Sequence, residues 1–170
     1  MLTGLMLLAL ALPAAAPAQA PDATVVVVVR HAEKATDDPR DPSLSEAGVA
    51  RARALAQRLE GTGLDAAYAT QYQRTQLTAA PAAQQAGIVV RVRPAGPDSA
   101  ASYGPDLARD LRALPAGSTA LVVGHSNTVP AIITAISGQP AQEMPETEYS
   151  RYTVIVLDAD GRARVFTSTY

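Results

Sequence analysis

Thr24-Val25-Val26-Val27-Val28-Val29-Arg30-His31 is the stretch on which the fold turns. A strand with one wet face alternates apolar and polar residues. An unbroken β-branched run belongs instead to a strand covered on both faces, the habit of parallel sheets between helical layers. Parallel neighbours need long crossovers, which are usually helical, and the sequence downstream supplies them. Ser45 caps a helix reaching Glu60, with Val49, Leu55 and Leu59 apolar and Arg51, Arg53 and Arg58 mostly outward. Asp65–Thr70 reads as a short strand and Arg74–Ala86 as a helix that Pro81 must kink or begin. Ile88–Val92 is a third strand, Pro94–Pro105 a loop and Asp106–Leu114 a helix. Thr119–Val123 is a fourth strand, and Thr128–Ser137 a helix with Pro130 tolerable in its first turn. Tyr152–Leu157 and Arg162–Thr167 form a hairpin around Asp158-Ala159-Asp160-Gly161. The predicted fold class is α/β, a three-layer α/β/α sandwich with a mostly parallel central sheet.

The chain of 170 residues is 48% hydrophobic and 18% charged, with a formal net charge of −2. That length fits one domain able to build its own core. With no cysteine, disulfides, thiolate metal sites and thiol nucleophiles are excluded. Lys34 is the single lysine and there is no block of basic residues, which argues against a nucleic-acid partner or an anionic membrane. Residues 1–20 carry no charged side chain. The apolar run Leu5–Leu12 followed by Ala16-Pro17-Ala18 and Ala18-Gln19-Ala20 has the pattern of a secretory signal with A-x-A cleavage sites, too short to span a bilayer. The expected division is therefore a signal peptide over 1–20 and one domain over 21–170. That domain would be periplasmic or secreted, with no stable membrane association after signal removal; its oligomeric state is left open.

In open α/β sheets, ligands bind beyond the carboxyl ends of the strands. The first strand delivers Arg30-His31 there, the second Thr70 to Arg74, and the fourth Gly124-His125-Ser126-Asn127. Both histidines of the chain thus follow strand ends.

These segments carry a resemblance. Arg30-His31-Ala32-Glu33 is similar to the Arg-His-Gly motif of the histidine phosphatase superfamily, also called phosphoglycerate mutase-like, with Ala32 in the glycine place. Leu44-Ser45-Glu46-Ala47-Gly48 resembles the element opening that family's first helix. Tyr68 to Ala79, with Arg74, Thr75 and Thr78, resembles its Ser-x-x-x-Arg-(Ala/Thr)-x-x-Thr-Ala block, and Gly124-His125-Ser126 its Gly-His-(Gly/Ser) block. The four elements come in family order between residues 30 and 128. The resemblance implies a histidine phosphatase-like fold and a phosphatase acting on phosphate monoesters. His31 would be the nucleophile that forms a phosphohistidine, and His125 a further ligand of the phosphoryl oxygens, protonated while phosphate is bound. Arg30 and Arg74 supply planar forks suited to a dianion, and Ser126 a donor at a helix N-terminus. With Arg and His stabilising the charge, no metal and no cofactor is required, and the partner is a small phosphorylated substrate.

The leaving oxygen still needs a proton. Family enzymes commonly place a Glu after the third strand, but Arg93–Asp106 contains none. Asp98 is the candidate by position, Glu33 the alternative, and a site without a dedicated acid the third possibility. The missing Glu and the Ala32 replacement favour a phosphatase over a mutase. They also leave room for a non-catalytic phosphoryl-binding domain, and a protein phosphohistidine phosphatase is a further alternative. A serine nucleophile elbow at Gly124–Thr128 lacks its second glycine. A metal site of two histidines with Glu33 is a weaker reading. The acidic run Glu143-Met144-Pro145-Glu146-Thr147-Glu148 is read as solvated surface with the option of bordering the pocket.

Overall fold

A computed structural model describes residues 22–170, so the segment read as a signal peptide lies outside the described residues. Six strands form one sheet in the order β3-β2-β4-β1-β5-β6. The strands are β1 (Thr24–Arg30), β2 (Leu64–Ala69), β3 (Val90–Val92), β4 (Thr119–Gly124), β5 (Arg151–Leu157) and β6 (Ala163–Thr169). β3, β2, β4 and β1 are mutually parallel, while β5 and β6 complete the other edge as an antiparallel hairpin. Helices α1 (Glu46–Arg58), α2 (Gln73–Gln85), α3 (Tyr103–Arg112) and α4 (Thr128–Ser137) supply the crossovers and the return to β5. The architecture is the expected α/β sandwich.

The valine run is divided between the two faces. Val26 and Val28 pack with Leu107, Leu111, Ile132 and Ile136 of α3 and α4. Val27 and Val29 pack with Leu55 and Ala56 of α1 and Ala79 and Ala82 of α2. A polar residue at any of these positions would be buried without a partner, so the run has no alternation.

Several boundaries differ from the sequence reading for local reasons. α3 begins at Tyr103 rather than Asp106, because Pro105 falls in its first turn, where a missing N–H costs nothing. α2 runs through Pro81 instead of starting there. β3 is only three residues long, and Val89 before it is exposed, as suits an edge. Arg51 does not turn outward. Its guanidinium holds the Glu33 carboxylate through Nε at 2.9 Å and Nη2 at 2.7 Å and also reaches the Tyr170 carbonyl.

The start of α1 fixes the loop after β1. Ser45 caps the helix by accepting from the Gly48 N–H, and the Ser45 N–H donates to the Glu33 carbonyl. A Cβ on Gly48 would lie 2.1 Å from that same carbonyl oxygen, so only glycine lets α1 approach this closely.

Candidate active site

β1 and β4 are adjacent and in register, with Arg30 opposite Gly124, and the His31 N–H donates to the Gly124 carbonyl. This pairing brings the two histidines together, with ring centroids 5.2 Å apart. β2 lies on the other side of β4 and delivers Thr70 and then Arg74 to the same place. Arg30, His31, Arg74 and His125 line one cavity of about 580 Å³.

His31 is buried, and its Nδ1 lies 2.8 Å from the Ala32 carbonyl oxygen. A carbonyl only accepts, so Nδ1 carries the proton and Nε2 keeps its lone pair. Burial is the main cause that lowers the His31 pKa to about 4, and Arg30 and Arg74 lower it further. At neutral pH the ring is an uncharged imidazole with one defined tautomer. The loop is held by a second tie: the Ala32 N–H donates to Thr78 Oγ1, which donates to the Arg74 carbonyl. Ala32 stands where the family motif has glycine, and its methyl group is buried with Leu44 and Ala52.

His125 is positioned from both ends. Its N–H donates to Thr128 Oγ1, and its Nε2 lies 3.0 Å from Thr70 Oγ1, which is 2.9 Å from Thr75 Oγ1. Thr75 donates to the Tyr72 carbonyl, so the single Thr70 proton goes to Thr75 and His125 donates from Nε2. That leaves Nδ1 as the nitrogen able to take up a proton. Burial first, then the neighbouring His31, Arg74 and Arg30, lowers the His125 pKa to about 3, so the ring is neutral with no anion in the site. A phosphoryl dianion would reverse the electrostatic part of that shift.

Arg30 is almost fully buried at 2% exposure. Its Nη1 donates to the carbonyls of Pro145, Glu146 and Glu148, and the guanidinium stacks over the Tyr149 ring at 4.2 Å. The opposite edge, Nε and Nη2, remains as a two-donor fork. Nε is buried without a partner, and Nη2 donates to Glu146 Oε2 at 2.8 Å. Arg74 stacks over Tyr72, and its buried Nη1 has no hydrogen bond, the nearest carboxylate oxygen being Asp41 Oδ1 at 3.7 Å. Arg30 and Arg74 both line the cavity beside the N-terminus of α4, and each keeps a buried donor without a hydrogen bond, a donor set that could hold a multiply charged oxyanion. Ser126 is also in the cavity, where its hydroxyl donates to the Glu146 carboxylate.

The structure thus brings Arg30, His31, Arg74, His125 and Ser126 together. Asp98 sits exposed on the 3₁₀ turn Pro97–Ser99, and its neighbours Pro97 and Ala100 line the cavity while it does not. Glu33 also lies outside the lining. Its carboxylate is held by Arg51, which is the first cause of its lowered pKa. Among the described residues, the one carboxylate in the cavity lining is Glu146. Sequence reasoning allowed the acidic run to border the pocket but singled out no residue in it. No local signal separates Glu146 from Glu143 or Glu148; only the docking of the loop on Arg30 does. Sequence reasoning likewise assigns Thr70 no role of its own, and its place directly after β2 is the signal that marks it. No group of three or more His, Asp or Glu able to hold a metal ion occurs among the described residues.

The fold and site define an α/β protein with two arginines and two histidines gathered in one cavity at the carboxyl end of its parallel strands. Residues 26–95 match the model of the histidine phosphatase superfamily (branch 1). The matched segment carries Arg30, His31 and Arg74. Solved structures share the fold at low sequence identity. The protein histidine phosphatase SixA complexed with tungstate is 17% identical, with a TM-score of 0.65 over 85% of this chain and 96% of that one. Mycobacterial glucosyl-3-phosphoglycerate phosphatase is 18% identical, with a TM-score of 0.66 over 86% and 99%. A phosphoserine phosphatase from Entamoeba histolytica is 15% identical, with a TM-score of 0.61 over 86% and 97%. No curated protein matches the sequence.

Proposed function

We propose that this protein hydrolyses phosphate monoesters through a phosphohistidine on His31. The observation that carries the reading is the state of His31: neutral, with Nδ1–H tied to the Ala32 carbonyl and Nε2 left nucleophilic, its ring centroid 5.2 Å from that of His125 in a cavity shared with two arginines. The Nε2 lone pair attacks phosphorus in line and the ester P–O bond breaks. Water then attacks the phosphohistidine, returns the electron pair to Nε2 and releases inorganic phosphate. The Nε–Nη2 edge of Arg30 and the free donors of Arg74 hold the equatorial oxygens. His125 takes a proton at Nδ1 as the dianion binds and adds a third charged donor.

The phosphatase reading implies a small phosphorylated substrate, and the short segment Arg93–Ser102 between β3 and α3 adds no large insertion to read a particular molecule. The uncharged apolar run and A-x-A sites of residues 1–20 support export, so the substrate would be met outside the cytoplasm. The N-terminal residue of the protein recovered from its host tests this: a start near Gln19 or Pro21 in an extracytoplasmic fraction agrees, and an intact Met1 in the cytoplasm contradicts it.

The test of activity is turnover of a panel of phosphate monoesters by wild type and His31→Ala. Turnover that disappears with His31 supports the reading. A wild-type protein that binds vanadate or phosphate but turns over no monoester would instead be a phosphoryl-binding domain.

A further inference from the structure

We propose that Glu146 is the proton donor to the leaving oxygen, a role taken by neither carboxylate that the sequence put forward. This rests on the phosphatase reading above. Glu146 belongs to the loop before β5, and its carboxylate bridges Arg30 and Ser126: Oε2 accepts from Arg30 Nη2 at 2.8 Å, and Oε1 accepts from Ser126 Oγ. Arg30 is one of the two arginines whose buried donors make the phosphoryl seat. A group that touches its open edge stands within one hydrogen bond of any phosphoryl oxygen placed there. The Glu146 backbone is fixed as well, since its carbonyl accepts from Arg30 Nη1 at 2.6 Å. The carboxylate can therefore leave the guanidinium without leaving the cavity.

The state of this carboxylate changes with occupancy in the direction catalysis needs. With no anion in the site, the Ser126 hydrogen bond and then the charges of Arg30 and Lys34 lower its pKa. When phosphoryl oxygens engage the Nε–Nη2 edge, the carboxylate loses its ion pair and faces a dianion. Both changes favour the protonated form. The side chain is 80% exposed, so the proton comes directly from solvent. In the first step the His31 Nε2 lone pair forms the N–P bond, the P–O ester bond breaks towards oxygen, and the Glu146 carboxyl proton goes to that oxygen. The products are a neutral alcohol, phosphohistidine and a Glu146 carboxylate. In the second step the attacking water gives its proton to that carboxylate as the N–P bond breaks.

The other carboxylates are placed less well. Asp98 is outside the cavity lining, Glu33 is held by Arg51, and Asp41 accepts from the Gln73 N–H beside Arg74 and does not line the cavity.

The test compares kcat/KM for Glu146→Gln on nitrophenyl phosphate and on ethyl phosphate, since this ratio reports the steps up to ester cleavage. Nitrophenolate departs without help, so its kcat/KM should stay within about threefold, while the ethyl ester should lose about 10²-fold or more. Glu146→Ala with added formate supplies a second reading: formate should restore turnover of the ethyl ester in this variant and do nothing for wild type. Equal losses on both esters, no loss on either, or no rescue by formate would overturn the assignment. A gain on both esters with tighter vanadate binding would also overturn it, because the carboxylate would then be only a competitor for Arg30. Failure of the phosphatase reading looks different: wild type itself would hydrolyse neither ester, or His31→Ala would match it.

Discussion

Arg30, His31 and His125 stand at the ends of two neighbouring strands, whereas Glu146 reaches the same cavity on a loop 116 residues along the chain from Arg30. The floor is held by backbone pairing, buried threonines and a glycine contact; His31 is buried and His125 half-buried, and both imidazoles are neutral. The rim is one exposed carboxylate bridging an arginine and a serine. The difference separates two tasks. On the proposed reading, the nucleophile, which must be placed to a fraction of an ångström, is built into the sheet, and the group that exchanges protons with water sits on a loop.

The sharpest way to break the comparison is at His31. His31→Ala should lose at least about 10³-fold in turnover on every substrate while the protein still folds, since every substrate passes through the covalent intermediate. Steady-state kinetics beside circular dichroism checks this.

Arg74→Lys keeps a charge but removes the planar fork, and should cost about 10²-fold in kcat/KM, roughly equally for good and poor leaving groups. A loss confined to poor leaving groups would place Arg74 with the acid chemistry of the rim instead.

Thr70→Val breaks the chain from His125 to Thr75 without touching the phosphoryl seat. It should lower kcat by about tenfold, the scale of 1.4 kcal/mol, and weaken vanadate inhibition as His125 loses its fixed orientation. Unchanged vanadate inhibition would show that Thr70 serves packing alone.

The two imidazoles also make a prediction for pH. Both histidines have folded values below the ordinary 6.5, at about 4 and about 3. Between 6.5 and those values the unfolded chain binds more protons than the folded one, so stability is full above 6.5 and falls as the pH drops through this window. Urea unfolding at pH 7 and pH 5 should show the lower midpoint at pH 5, and His125→Asn should reduce the difference. For the same reason kcat/KM should rise with a limb near pH 4 as His31 deprotonates.

The floor was legible in the sequence because its signals are local. A valine run announces a strand with two buried faces, and both histidines of the chain come directly after strand ends. Ser45 and Gly48 are likewise readable three residues apart. The rim was not legible, because three glutamates in six residues look alike until the loop docks on Arg30. The Arg51 pairing is hidden for a related reason: helical periodicity shows which face carries the arginine, but not that Glu33 comes back to meet it. Chain position alone points to Asp98, and the 3₁₀ turn places Pro97 and Ala100 in the cavity lining instead.

The most direct measurement of the central claim is rapid acid-free quenching of wild-type protein during turnover of nitrophenyl phosphate, followed by peptide mass spectrometry. The covalent mechanism predicts one added phosphoryl group on the peptide carrying His31, labile to acid and absent from the peptide carrying His125. Turnover with no phosphorylated peptide at any quench time, or a phosphoryl group on His125 instead, would contradict it.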